Sequence, residues 1–466
     1  MSDLLNQSAS SLLADFAARR VSPVDLLDAT LDRLDRVEPT VNAFAHVDRE
    51  GARAAAEASA TRWRDGRPLG PADGLIATIK DNILARGLPT RRGSLTSVAS
   101  PADVDAPATA RLREAGAVIL GKTNMPEIGW KGLGDSPFHG ATRNPWATGR
   151  TSGGSSAGAA VAAALGLGQF HLGTDGLGSI RIPAAFCGVF GFKPSFGRVP
   201  AWPLSTMGLL AHLGPLTRHV ADAALMLTLI GRPDARDNTA WNTPCPDHTD
   251  GLDRGVWGRR IAFSSRLGGA HPVDPAIAES VGRAARVFEE LGAHVEEIDP
   301  DLGDTRPITD ALWWTGAAAA MKSLPPEQEC LLDPGLRAEI GKGRALGARD
   351  YLDAFLARAA IAHRMAVFHE SWDLLVTPQM PIGAVPLGAD TPPGGPYRHW
   401  QDWSPFTYPF NVTQQPAASV PCGFTPDGLP IALQIVGPVR ADALVLRAAR
   451  AFERARPFAT LDIPRQ

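Results

Sequence analysis

Cysteine is scarce in this chain: four in 466 residues, at positions 187, 245, 330 and 422. They stand far apart, with no Cys-x-x-Cys pair and no Cys/His cluster, so a structural zinc site is excluded. So few thiols fit a reducing compartment better than a disulfide-stapled secreted domain. Net charge is equally small. Forty-six Lys and Arg face 49 Asp and Glu, a formal net of −3. No field of one sign exists to recruit nucleic acid or an anionic membrane. Long apolar runs are missing too. The longest, Ala157 to Gly168, is mostly Ala and Gly and is too short to span a bilayer. The opening residues, MSDLLNQSASSLLADFAARR, lack the basic start and apolar core of a signal peptide. The expectation is a cytoplasmic enzyme with no nucleic-acid partner, no membrane partner and no metal.

What is present points to an α/β fold. Residues 2 to about 65 read as helices, with Leu4-Leu5, Leu12-Leu13, Phe16, Leu26-Leu27, Leu31 and Leu34 at helical spacing. Ser22-Pro23 is a helix start, a cap followed by proline in the first turn. LIATIK (75–80) reads as a strand, DAPATARLREAG (105–116) as a helix closed by glycine, and AVIL (117–120) as a strand. A Gly/Ser/Thr-rich segment (149–158) leads into an Ala-rich helix from 159 to 165. IAFS (261–264) and HVEE (294–297) bracket a helix from about 275 to 291, a βαβ unit. Residues 377–396, rich in Pro and Gly, read as a surface loop and a candidate lid. With no internal repeat and no clean linker, residues 1–466 read as one domain. It has a helical segment at 1–65 and a core at 70–230.

Two short motifs compete for the chemistry. Gly116 to Thr123 spells GxxxxGK[ST], the phosphate-loop pattern, but its first glycine ends a helix and its middle residues form a strand. A phosphate loop needs the reverse order, strand then helix. Gly154-Ser155-Ser156-Ala157-Gly158 fits GxSxG, whose nucleophile would be Ser156. That elbow needs a hydrophobic strand before it, and ATGRTSG is polar.

A third set uses more of the chain. GPADGLIATIKDNI, GKTNMPE, TRNPW, RTSGGSSAGAAVAAALG, GTDGLGSIRIPAAFCGVFGFKP and NVTQQPAASVP follow one another in this order. Together they resemble the amidase signature family, as do the spacings of 75 residues from Lys80 to Ser155 and 24 from Ser155 to Ser179. The resemblance implies a central twisted mixed β-sheet covered by helices on both faces. It also implies amide hydrolysis by a Ser–Ser–Lys triad: Lys80 as base, Ser155 as the bridging serine on a cis peptide, and Ser179 as nucleophile. A lysine serves as a base only when neutral, and burial favours that form. A serine hydroxyl can accept and donate at once, so Ser155 can relay a proton.

The family's oxyanion turn carries over to Gly176, Leu177, Gly178 and Ser179, whose backbone N–H groups face the developing charge. Leu177 stands where the family usually has glycine, so either its side chain walls the cavity or it distorts the turn. Asp175 and Arg181 read as an ion pair holding that turn, and Cys187 as a core residue. Gly129, Trp130, Ser155 and Leu177 are the expected substrate contacts, with Trp130 an aromatic wall favouring hydrophobic or aryl amides. In the related glutamyl-tRNA amidotransferase, the A subunit holds the ammonium of glutamine with an acid. Here the place of that acid falls near neutral Ser404, which argues against a glutaminase. The expected partner is a small-molecule amide, without a cofactor, and self-association as a homodimer is left open. The readings set against an amidase are a family member reduced to binding or scaffolding and a glutaminase-type amidotransferase subunit.

Overall fold

The computed structural model describes residues 4–269 and 271–461. Its strands, in chain order, are β1 Phe44–Val47, β2 Ile76–Lys80, β3 Val118–Thr123, β4 Asp135–Ser136, β5 Gly140–Ala141, β6 Phe170–Asp175, β7 Phe190–Lys193, β8 His212–Thr217, β9 Arg260–Phe263, β10 His294–Glu297, β11 Leu374–Pro378, β12 Ala417–Phe424 and β13 Pro430–Val436. β4 and β5 form a small hairpin of their own. The other eleven make one mixed sheet in the order β1-β3-β2-β6-β8-β7-β12-β13-β11-β9-β10. β3, β2 and β6 run parallel to one another, as do β11, β9 and β10, and the strands between are antiparallel. Helices flank the sheet. β2 and β3 are buried at every residue, which is why their sequences run apolar without alternation.

The expected helix start at Ser22 is formed. Ser22 Oγ accepts from Asp25 N at 3.1 Å while Asp25 Oδ2 accepts from Ser22 N at 2.9 Å, a closed capping box. The N-terminal segment is not all helical, however. β1 lies between the helices Pro23–Val41 and Arg49–Arg64 and forms one edge of the sheet beside β3. Residues 2 and 3 of that expected segment lie outside the described residues. The βαβ unit is as read, with β9 and β10 parallel around the helix Pro275–Glu290.

The stretch 377–396 is less free than its composition suggests. Thr377 and Pro378 close β11, and Gln379 and Met380 are buried. Beyond them Val385 O accepts from Thr151 N at 2.8 Å, and Asp390 O accepts from Trp403 Nε1 at 2.9 Å. Apolar packing falls into two clusters. The larger joins the sheet to the N-terminal helices and to the helices Val220–Ile230 and Asp442–Ala455. The second gathers Trp130, Leu177, Trp313, Trp400, Trp403 and Phe410.

Candidate active site

The site is built where two parallel neighbours end. Lys80 is the last residue of β2, and Thr174 and Asp175 are the last of β6. Between them enters the Gly/Ser segment, whose Gly154–Ser155 peptide is cis. Glycine is required at 154 because a Cβ there would lie 2.0 Å from Leu133 O. The segment runs straight into the helix Ala157–Ala164.

These strand ends enclose the Lys80 amine completely. Nζ lies 2.7 Å from Ser155 Oγ, 2.8 Å from Thr174 Oγ1 and 3.1 Å from Ser156 Oγ. The lysine has no exposed surface. Burial pushes its pKa well below the ordinary lysine range, with the Asp175 charge opposing the shift. Ser156, the serine of the GxSxG pattern, is engaged in structure. Its Oγ donates to Thr174 O at 3.1 Å and accepts from Thr174 N at 3.3 Å. Thr174 Oγ1 also accepts from Asn82 Nδ2 at 3.1 Å. Thr174 and Asn82 sit inside the quoted blocks, where nothing in their spacing sets them apart from their neighbours.

The turn that carries Ser179 is tied to the same frame: Ser156 N donates to Ser179 O at 3.0 Å. Asp175 and Arg181 form the ion pair expected of them. Both are fully buried and meet through two hydrogen bonds of 2.9 and 3.0 Å. Arg181 further donates to Thr407 O, Gln434 Oε1 and Asn411 Oδ1. Burial alone would raise the Asp175 carboxyl. The Arg181 guanidinium, with Lys193 and Asn411 behind it, instead holds it far below the usual carboxylate range.

The turn departs from expectation at two residues. Asp175 Oδ1 accepts from Gly178 N at 2.7 Å, so the Gly178 amide is engaged and leaves the oxyanion set. The amides of Gly176, Leu177 and Ser179 have no acceptor among the described residues. Leu177 is not a cavity wall. It is 1% exposed, packs in the aromatic cluster, and its carbonyl accepts from Thr407 Oγ1 at 2.7 Å. It is also absent from the residues with left-handed φ, whereas Gly178 has φ +116°. The Cβ of leucine therefore meets no backbone conflict at 177.

A cavity of about 370 Å³ opens on the turn, and Gly129, Ser155, Gly176 and Ser179 all line it. Gly129 lies close to Ser155: a Cβ there would lie 3.1 Å from Ser155 Oγ. Trp130 does not reach the cavity. It is buried against Gly335 and lies 6.4 Å from the His399 ring. The aromatic wall comes instead from Trp313 and Trp202, which lie in no recognised motif. No residue of 377–396 lines the cavity, so that stretch is not its lid; residues 201–207 form its rim. Ser404 is buried outside it. The GxxxxGK[ST] stretch makes no phosphate cradle, because Val118–Thr123 is strand and Lys122 Nζ bonds Pro89 O and Thr90 Oγ1. Among the described residues no group of His, Cys, Asp and Glu could hold a metal, and no helix is long and apolar enough to cross a membrane.

The Amidase family model matches residues 25–446. The chain is 38% identical over 459 residues to an acylamidase of Rhodococcus erythropolis, covering 97% of this chain and 96% of that protein. It is 34% identical over 464 residues to the A subunit of the glutamyl-tRNA(Gln) amidotransferase of Synechococcus sp. (strain CC9902), covering 93% of each. Its fold matches a bacterial aryl acylamidase of the amidase signature enzymes with a TM-score of 0.90 at 31% identity, over 97% of this chain and 96% of that one. Matches that run along nearly the whole fold leave one assignment: this chain belongs to the amidase family and is an amidase, a hydrolase of that family.

Proposed function

We propose that the chain hydrolyses the C–N bond of hydrophobic and aryl amides through an acyl-enzyme on Ser179. One observation carries the reading. The Lys80 amine is wholly buried 2.7 Å from Ser155 Oγ, and Ser155 and Ser179 share one cavity. A buried neutral amine is a base; a buried ammonium without a paired carboxylate would be costly.

In this reading Ser179 Oγ attacks the carbonyl carbon. Its proton passes to Ser155 Oγ, whose own proton passes to Lys80 Nζ. The carbonyl electrons move to oxygen, and the free amides of Gly176, Leu177 and Ser179 receive that charge. When the C=O re-forms, the C–N bond breaks. The proton returns through Ser155 to the leaving nitrogen, and the amine departs. Water then repeats the sequence on the acyl-enzyme and frees the acid. Esters and carbamates share this intermediate and are expected to turn over.

The lining supports this substrate class, although Arg92 and Lys322 also reach the cavity. Ile83, Leu84, Ile128, Met207 and the two tryptophans are apolar, and Asp175 is the single acid among the lining residues. Its carboxylate is already bound by Arg181, so no carboxylate is free to hold a glutamine ammonium. That favours an acylamidase-like activity over a glutaminase.

The test is covalent. A fluorophosphonate should label Ser179, and Lys80→Ala should slow both labelling and turnover by about 10²–10⁴-fold. Labelling on Ser156, or wild-type turnover in Lys80→Ala across the pH range, would overturn the assignment. Absence of labelling with an intact fold would favour the binding or scaffold reading.

A further inference from the structure

Trp313 is the wall residue that reaches the nucleophile turn. It stands on the helix Arg306–Ala320 and lines the cavity, yet is only 3% exposed. Its ring packs against Gly176: a Cβ on that glycine would come within 2.9 Å of the ring atom Cζ3. The ring thus sits against a residue whose amide is free to meet the oxyanion.

The indole is held from behind by an arrangement that packing alone does not need. Its Nε1 donates to Glu339 Oε2 at 3.0 Å. Glu339 is 1% exposed on the helix Pro334–Ala345, and its other oxygen lies 3.1 Å from His399 Nε2. Trp400 closes the back, edge to face with Trp313 at a centroid distance of 6.4 Å. A buried carboxyl is costly, and an apolar residue of similar size would fill the same space as well or better. Here one helix brings a carboxyl to the one polar atom of the wall residue, and a third segment sets an imidazole against that carboxyl's far oxygen. That fixes the plane and depth of the indole beside the reacting carbonyl.

We infer that Trp313 is a specificity-determining residue that selects flat, unsaturated acyl groups, and that Glu339 is its positioning residue. The inference rests on the acyl-enzyme reading above. An aryl acyl group can stack on the indole, whereas a branched aliphatic one gains only burial.

The experiment compares the 4-nitroanilides of benzoic and isobutyric acid, which share a leaving group and differ in the acyl part. In Glu339→Leu the benzoyl-to-isobutyryl ratio of kcat/KM should fall by about five- to tenfold, the scale of one aromatic contact, with most of the change in KM. Glu339→Gln keeps an oxygen for the indole N–H and should stay within about twofold of wild type. Trp313→Phe has no N–H, so in that background Glu339→Leu should leave the ratio within about twofold, as a double-mutant cycle requires. Trp313→Leu removes the wall with Glu339 in place and should lower the ratio as well, which keeps the test decisive if Glu339→Leu fails to fold. An unchanged ratio in Trp313→Leu, or an equal effect of Glu339→Leu with and without the indole N–H, overturns the inference. Fluorophosphonate labelling of Ser179 should persist in every variant. Its absence from the wild type would overturn the acyl-enzyme reading instead.

Discussion

Replacing Arg181 by methionine tests whether the nucleophile turn is held by one charge. The Asp175 carboxylate accepts five hydrogen bonds: from Gly178 N, Ile180 N, Asn411 Nδ2, and Arg181 Nε and Nη2. Methionine leaves the first three. The two charge-assisted bonds to Asp175 at about 1.5–3 kcal/mol each give a loss of about 3–6 kcal/mol, a lower bound because the bonds to Thr407 O, Gln434 Oε1 and Asn411 Oδ1 go as well. That agrees with the roughly 3–5 kcal/mol for breaking a buried pair by removing one partner. Against a total stability of about 5–15 kcal/mol, the variant should fold but sit near its limit.

The loss carries a pH signature. In the wild type the Asp175 pKa is depressed, so its stabilisation is present above the unfolded value of about 3.9 and fades as the solution turns more acid. Without Arg181 the buried carboxyl titrates higher, and the variant loses stability as pH rises through that value. The gap between the two proteins should therefore be widest at neutral pH and close toward acid. Urea unfolding followed by far-UV dichroism at pH 5, 6, 7 and 8 measures it. A gap under about 1 kcal/mol at pH 7, or one independent of pH, would refute the reasoning. Restoring neutrality with Arg181→Met and Asp175→Leu together should recover much of the stability, though not the activity.

Three further outcomes are expected. Lys80→Met should slow turnover by about 10²–10⁴-fold yet gain stability relative to wild type as pH falls below the ordinary lysine range. Burial holds the native lysine well below 10.5, so in that window the unfolded chain carries a proton that the folded chain lacks. Unfolding midpoints against pH for both proteins decide it, and a constant difference would be the failing result. Leu177→Gly should lose about 2–5 kcal/mol of stability without favouring bulky acyl groups, because its side chain fills the core rather than the cavity. A selective gain on bulky amides would return Leu177 to the wall. Gly129→Ala, at φ +80° with its new methyl 3.1 Å from Ser155 Oγ, should slow turnover about tenfold by displacing the relay. Equal rates for this variant and wild type on a single anilide would contradict that placement.

The family and the meeting of Lys80, Ser155 and Ser179 were legible because these residues lie in blocks that carry their own geometry. LIATIK is a buried strand whose last residue is Lys80, and a neighbouring parallel strand ends at Asp175, just before the Ser179 turn. Side-chain direction was not legible. Sequence adjacency to Gly129 puts Trp130 in the cavity, but Ile128 and Gly129 both have left-handed φ, 45° and 80°. The chain reverses at this point and carries the indole away. The aromatic residues that do line the cavity, Trp202 and Trp313, come from segments whose local pattern is that of any loop or helix. β1 is hidden in the sequence because FAHV is four residues between two long helices and is a strand only by pairing with β3. The engaged amide of Gly178 does have a signal. An aspartate three residues earlier is a side chain that commonly captures a turn N–H.

The glycine at 158 reaches beyond the site. On the helix that follows Ser155 and Ser156, a Cβ there would sit 1.9 Å from Ala43 O. Ala43 O accepts from Asn124 N at 2.8 Å, and Asn124 O accepts from Gly158 N at 3.0 Å. The residues that steady the helix after Ser155 and Ser156 therefore include one from the first tenth of the chain. For anyone seeking a smaller catalyst, the N-terminal helices resemble trimmable decoration. The link that follows them is different: Ala43, between the helix Pro23–Val41 and β1, is one jaw of the clamp on the serine helix. A shortened enzyme would have to begin upstream of Asn42, and a circularly permuted one should place its new ends elsewhere.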